Sequence, residues 1–171
     1  MSGSNNTTGS ILRGVMAGVI GTVAMDLVWF SRYRRSGGED GFGTWEFSSS
    51  AEGFDDAGAP AQVGKKLADA VGVDLPDDAA DTTNNVVHWA TGAQWGAAYG
   101  VATALADGGD LPLALALGPV ACSTAYALLG AAGIYEPIWT YDAKTLTKDY
   151  TAHMVFGLAT AAAYQVLKKR K

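Results

Sequence analysis

Four ionisable side chains lie within or beside stretches that are otherwise apolar: Asp26, His88, Glu136 and His153. An imidazole with an ordinary pKa of about 6.5 changes charge in the physiological range, so a carboxylate beside it makes a proton switch or relay. Two imidazoles and two carboxylates also have the donor atoms to ligate a divalent metal. Their spacing matches no recognised metal motif, however, and neither a metal nor any other cofactor is expected. The plainer role for Asp26, Asn84, Asn85, His88 and Glu136 is to satisfy helix ends and one another. The chain has no Gly-rich phosphate loop, no nucleophile elbow and no paired-cysteine motif, so no catalytic residue and no enzymatic activity are expected. Ser123 and Thr124 are read as bonding to backbone rather than as nucleophiles. A single cysteine, Cys122, leaves no disulfide framework and no zinc-ligand spacing.

The elements that must hold these side chains are read from where charge is missing. Residues 14–30 carry one charge, Asp26; residues 86–106 and 111–135 carry none; residues 151–167 carry none beyond His153. A soluble helical domain needs a polar face on each surface helix, because exposed apolar area costs about 25 cal/mol per Å² in water. Lipid imposes no such cost, and about 20 residues of helix cross a hydrocarbon core of about 30 Å. The expectation is an all-α, four-helix transmembrane bundle in a single domain, with the lipid bilayer as its surroundings. A soluble Ala-rich four-helix bundle is the alternative that the mean hydropathy of +0.10 allows. A cleavable signal is a second alternative, since Arg13 precedes an apolar stretch and Thr22-Val23-Ala24 suits a cleavage site. Trp29 and Phe30 argue against it by continuing the run.

Residues 1–10 read as a disordered tail, and the helices are expected at about 11–33, 85–106, 111–135 and 150–167. Between the first two lies a loop, residues 36–84, with eleven acidic residues and two lysines. One part of it should fold as a short amphipathic helix at the membrane surface. Pro60 suits a first turn, Val63, Leu67, Ala70 and Val71 share a face, and Gly72 ends it. Asp107-Gly108-Gly109-Asp110 is only long enough to turn the chain back, so the helices on either side are expected to be antiparallel neighbours. Close backbone approach must supply packing between helices in lipid. Gly14 with Gly18, then Gly92, Gly96 and Gly100, and Gly157 with Ala161 provide it at four-residue spacing, with the double repeat on the second helix as the central seam. A homo-oligomer through the same seams is a further possibility.

Helix rise places the four ionisable groups in one leaflet half. Asp26 is twelve residues past Gly14, His88 opens the second helix, Glu136 closes the third and His153 opens the fourth. Trp29, Tyr33, Trp89, Tyr135, Trp139, Tyr141 and Tyr150 form an aromatic belt around them. An ionisable group at membrane depth costs several kcal/mol unless paired or hydrated, which makes this cluster the candidate site. An even number of spans puts both termini on one side; five basic residues there stand against seven in the first and third loops, close to a tie, with the dense cluster Lys168-Lys169-Arg170-Lys171 and the outward-facing acidic loop favouring termini in the cytoplasm. The net charge of -5 comes mostly from the first loop and speaks against nucleic acid as a partner.

Asn85-Val86-Val87-His88-Trp89-Ala90-Thr91-Gly92 with its run to Tyr99-Gly100, the Gly133-Ile134-Tyr135-Glu136-Pro137 break and Ala152-His153 resemble the small YagU-like bacterial inner-membrane proteins, a family of unknown function. The resemblance covers the order of helices from residue 11 to 171. It implies a multi-pass location in the inner or plasma membrane and a loose link to acid tolerance. Family members with cysteines in the first loop are not matched here. The function expected is interaction or membrane and acid-stress homeostasis, with proton-coupled or small-solute transport through Asp26, His88, Glu136 and His153 as the alternative.

Overall fold

The structure is a computed structural model that describes residues 2–47, 51–106 and 111–169. The described residues are all-helical, with six helices: α1 (Ser2–Arg35), α2 (Phe42–Phe47), α3 (Ala59–Ala70), α4 (Ala80–Leu105), α5 (Leu111–Ala131) and α6 (Ala143–Lys169). The turn expected at residues 107–110, and Arg170 and Lys171 of the terminal basic cluster, fall outside the described residues.

The four long helices are those marked by the uncharged runs, but each has different ends. α1 starts at Ser2, so residues 2–10 are helical rather than a disordered tail. Tertiary packing supplies the reason: a Cβ at Gly100 would lie 3.0 Å from the carbonyl carbon of Ser10, and Ser10 is buried. Packing of this kind stabilises a helix end whose own propensity is weak. α4 begins five residues earlier than expected, because a 3₁₀ turn at Asp77–Ala79 runs straight into it and Asp81 places an acid in its first turn. α5 stops at Ala131 rather than Tyr135. Gly133 turns left-handed there (φ +68°), and Ile134 N–H donates to the Leu129 carbonyl at 2.9 Å. Pro119 lies inside α5 without ending it.

α6 begins at Ala143, seven residues before its expected start, because Asp142 caps it. The Asp142 carboxylate accepts from Thr145 N–H at 2.9 Å and from the Thr145 hydroxyl at 3.1 Å. These bonds, the backbone one first, hold the Asp142 pKa below the ordinary carboxylate range. A depressed folded value means that this stabilisation is present above the unfolded pKa of about 3.9 and is lost as pH falls through the lower folded value. Asp142→Ala is therefore expected to lower the thermal midpoint in detergent at neutral pH. The difference from wild type should close in strongly acidic buffer; an offset independent of pH would refute the cap.

α3 forms as its sequence requires, with Pro60 in the first turn and Gly72 at φ +77° just past the end. Ala61 and Gly64 are its buried residues, whereas Leu67 (63%) and Val71 (76%) are exposed, which leaves the apolar stripe free to face a membrane surface. Lys65 Nζ meets Asp69 at 2.6 Å and Asp74 at 3.3 Å, and these carboxylates raise its pKa. α2, which sequence reasoning left inside the solvated loop, is an additional helix.

The chain divides into two compact units, and several helices contribute to both. The first contains residues up to 29, 91–124 and 142 onward. In it α1 and α4 run antiparallel with their backbones almost touching. A Cβ at Gly14 would lie 3.0 Å from the Gly96 carbonyl carbon, and one at Gly18 would lie 2.9 Å from Gly96 Cα. α5 and α6 meet in the same way, a Cβ at Gly157 falling 2.6 Å from Gly118 N. Ala17, Tyr99, Leu117, Phe156, Ala161 and Tyr164 fill the core between these seams, with Tyr99 and Tyr164 edge to face at 5.5 Å. The second unit, residues 30–90 and 125–141, has a smaller nucleus of Phe54, Ala57, Ala61 and Ala80.

Among the described residues, two helices are long and apolar enough to cross a membrane: α1, from Thr7, and α5. Only 33% of each apolar window is buried, whereas the central helix of a soluble domain is mostly covered. Leu12, Met16, Val19, Ile20 and Leu27 on α1, and Leu111, Leu115, Val120 and Leu128 on α5, are exposed, a distribution suited to lipid.

Candidate functional site

The second unit builds its polar site from the end of α1 outward. Gly37 (φ +98°) reverses the chain after α1, and Gly38 N–H donates to the Tyr33 carbonyl at 3.1 Å. Gly38 lies so close to the Tyr33 ring that a side chain there would strike it. The Tyr33 hydroxyl bonds the Asp40 carboxylate, and Arg34 donates to the carbonyls of Glu39 (2.8 Å) and Asp40 (3.2 Å). These contacts fold α2 back beside the last turns of α1. There Phe30 meets the Phe42 ring edge to face at 5.4 Å and the Trp45 ring at 5.5 Å. Aromatic pairs of this geometry contribute about 0.5–1.5 kcal/mol each beyond their buried area.

Glu46 is the residue that α2 presents. Its carboxylate and a ring nitrogen of His88 on α4 lie within 4.8 Å of each other, both half-buried. The neighbouring residues hold the two helices together, since Phe47 and Trp89 stack at 6.3 Å with planes 18° apart, and the His88 ring stands edge-on to Trp89 at 6.2 Å. Trp89 Nε1 and Asn84 Oδ1 are buried without a hydrogen-bond partner among the described residues, and Asn84 Oδ1 would lie 2.8 Å from a Cβ at Gly58. Buried polar atoms are nearly always bonded, so each of these two has unspent capacity for a water.

Asp26 belongs to the first unit, on α1, and is 3% exposed. One turn before it, the Thr22 hydroxyl donates to the Gly18 carbonyl at 3.0 Å and packs against Gly92 of α4.

The other two residues of the expected cluster have different positions. His153 does not open a helix. It lies more than two turns inside α6, its Nδ1 2.9 Å from the Asp149 carbonyl of its own helix, with its backbone against Gly118. His88 likewise lies eight residues inside α4 rather than at its start. Glu136 is beyond the end of α5 and exposed, its N–H donating to the Tyr141 hydroxyl at 3.1 Å. Tyr135 and Tyr141 cluster with Tyr126 at 5.2–6.3 Å, so part of the aromatic belt packs on itself. Ser123 shares a hydrogen bond with the Tyr150 hydroxyl at 2.9 Å rather than bonding backbone.

Sequence reasoning missed Glu46. The signal for it was local: Phe42, Trp45 and Phe47 are large aromatics in a loop otherwise made of Gly, Ser and acids. Comparison with protein-family models, with curated proteins and with solved structures gave no match.

Proposed function

We propose that the chain is a multi-pass protein of the plasma or inner membrane, crossing it four times, that takes up and releases protons at the Glu46–His88 pair, with the buried Asp26 of the first unit as a further ionisable group. The observation that carries this reading is the Glu46–His88 pair, a carboxylate and an imidazole within 4.8 Å at the end of an otherwise uncharged helical run. An imidazole near a carboxylate titrates where cellular pH varies.

The packing register of the first unit places Asp26 on α1 beyond the last glycine contact. Ser10 meets Gly100, Gly14 meets Gly96, Gly18 meets Gly92 and Gly96, and Thr22 meets Gly92, so each turn forward on α1 matches a turn backward on α4. One more turn takes α1 to Asp26. A carboxylate buried in an apolar helix is retained at a cost of several kcal/mol, which favours a functional role.

The interaction reading has less support, because the glycines it would use for oligomer contacts are occupied between helices of one chain. The resemblance to YagU-like membrane proteins, and the acid-tolerance role it implies, fit a site whose charge follows pH. The test is proton flux into vesicles holding the purified chain, driven by a pH gradient and read by a trapped pH-sensitive dye. Wild type is expected to collapse the gradient, and Asp26→Asn and His88→Gln to match empty vesicles. Flux unchanged in Asp26→Asn, or absent from wild type, would rule out the proton role.

A further inference from the structure

We propose that two copies of this chain pair in the membrane through the face of α4 opposite α1, with Gln94 of each copy hydrogen-bonded to the other; the proposal rests on the four-span reading and not on the proton site. Gly92, Gly96 and Gly100 turn one face of α4 to α1. Thr91, Gln94, Ala98, Val101 and Leu105 recur on the opposite face at alternating spacings of three and four residues, all within the first compact unit. Val101 is half-buried and the others are exposed. That alternation is the seam along which two α-helices pack side by side.

Gln94 is what separates this face from the rest of the exposed surface. Along the four uncharged runs, the exposed polar side chains among the described residues are Thr91, Gln94, Ser123 and Thr151. Ser123 bonds the Tyr150 hydroxyl, Thr151 donates to carbonyls of its own helix, and Thr91 has a partner within the chain. The Gln94 amide makes no hydrogen bond among the described residues. Water would satisfy it on the surface of a soluble domain, but hydrocarbon offers neither donor nor acceptor. Headgroups are out of reach as well. Gln94 is the ninth residue of the run 86–106, about 3 Å from its midpoint at about 1.5 Å per residue, too deep for a side chain shorter than that of lysine to reach the interface.

The occupant follows from the chemistry of the amide. A primary amide has both an N–H donor and a carbonyl acceptor, so it is complementary to another copy of itself. Two copies inserted in one orientation run their α4 helices parallel, related by a twofold axis along the membrane normal. Residues of one number then meet at one depth, and Gln94 finds Gln94. A helix of a different protein would need its own polar group at that depth. Ala98, one turn on, lets the two backbones approach closely enough for the amides to bond. A single polar pair in an otherwise apolar seam also fixes register and copy number. On the exposed face of α6, Leu158, Ala162 and Val166 offer lipid no polar group.

The experiment has two arms, both on the full chain. In the first, single cysteines are oxidised with copper phenanthroline in native membranes. Ala98→Cys and Leu105→Cys are expected to give a covalent dimer. Leu158→Cys, like wild type with its fully buried Cys122, should stay monomeric. In the second arm, sedimentation equilibrium in density-matched detergent should show wild type in a monomer–dimer equilibrium. Gln94→Leu should weaken it at least about fivefold, the effect of one interhelical hydrogen bond between model helices. Gln94→Asn keeps the amide and should remain dimeric. Because Gln94 is exposed, both variants should fold, which helical circular dichroism verifies. Wild type that sediments as a monomer, Gln94→Leu that associates as tightly as wild type, or a cross-link on α6 instead of α4 would each overturn the proposal. A cross-linked product of mass other than twice the chain would give the face to a different protein's helix and overturn it too. Extraction with alkaline carbonate separates the two readings. A chain released by carbonate ends the four-span reading and the dimer with it, whereas a chain that is retained but monomeric ends the dimer alone.

Discussion

Gly96→Val is expected to destabilise the chain by about 3 kcal/mol, the upper range for forcing volume into a packed contact. A Cβ at Gly96 would lie 2.6 Å from both N and Cα of Gly18, and closer still to the Gly14 carbonyl oxygen. All three are backbone atoms of α1, so no side chain can rotate to make room and the helices must separate. In lipid that separation is costly in its own way. Apolar helices gain little from burying hydrophobic area against each other there, and close backbone contact supplies much of their association. The matched control is Gly130→Ala on α5, where nothing lies within 4 Å of the new methyl group. That change should stabilise by about 0.5–1 kcal/mol through helix propensity alone. Helical circular dichroism during heating in detergent tests both. A Gly96→Val protein melting with wild type would show that the α1–α4 contact does not hold the fold.

This glycine seam was legible in the sequence because its spacing is periodic and its residues are the smallest available. The four long helices were legible for a related reason: charge is excluded along each. Helix ends were not, because the charges that mark the edge of an apolar run do not mark the edge of a helix. Asp142 satisfies a terminal N–H group at the start of α6, and Asp81 places an acid in the first turn of α4, rather than ending the helices. Misplacing those starts also misplaced the chemistry. His88 and His153 looked like a matched pair at two helix openings, whereas both are more than two turns inside. Glu46 was hidden for a different reason. It is on a six-residue helix held by rings from α1 and α4, and such a contact has no periodicity in one sequence.

The four-span reading makes its sharpest prediction on α6. Single cysteines replacing Lys144 and Lys168 are expected to be labelled from opposite faces of the membrane. The two positions bracket the uncharged run 151–167, and at about 1.5 Å per residue they are about 36 Å apart, more than the roughly 30 Å of hydrocarbon. α1 and α5 are the helices that pass on length and apolarity. On α6 Thr160 and Tyr164 are buried, while Leu158 and Val166 are exposed. Thr151, which is exposed, donates its hydroxyl hydrogen to the carbonyls of Thr147 (2.6 Å) and Lys148 (3.0 Å) and so needs no water. Were α1 and α5 the only helices to cross, residues 144 and 168 would share a face. Cys122 is fully buried and adds no background. A membrane-impermeant maleimide applied to intact cells should therefore modify one of the two cysteines, and the other only after permeabilisation. Modification of both, or of neither, before permeabilisation would remove α6 from the membrane. This outcome does not depend on which terminus faces the cytoplasm, so it tests the number of crossings separately from their direction.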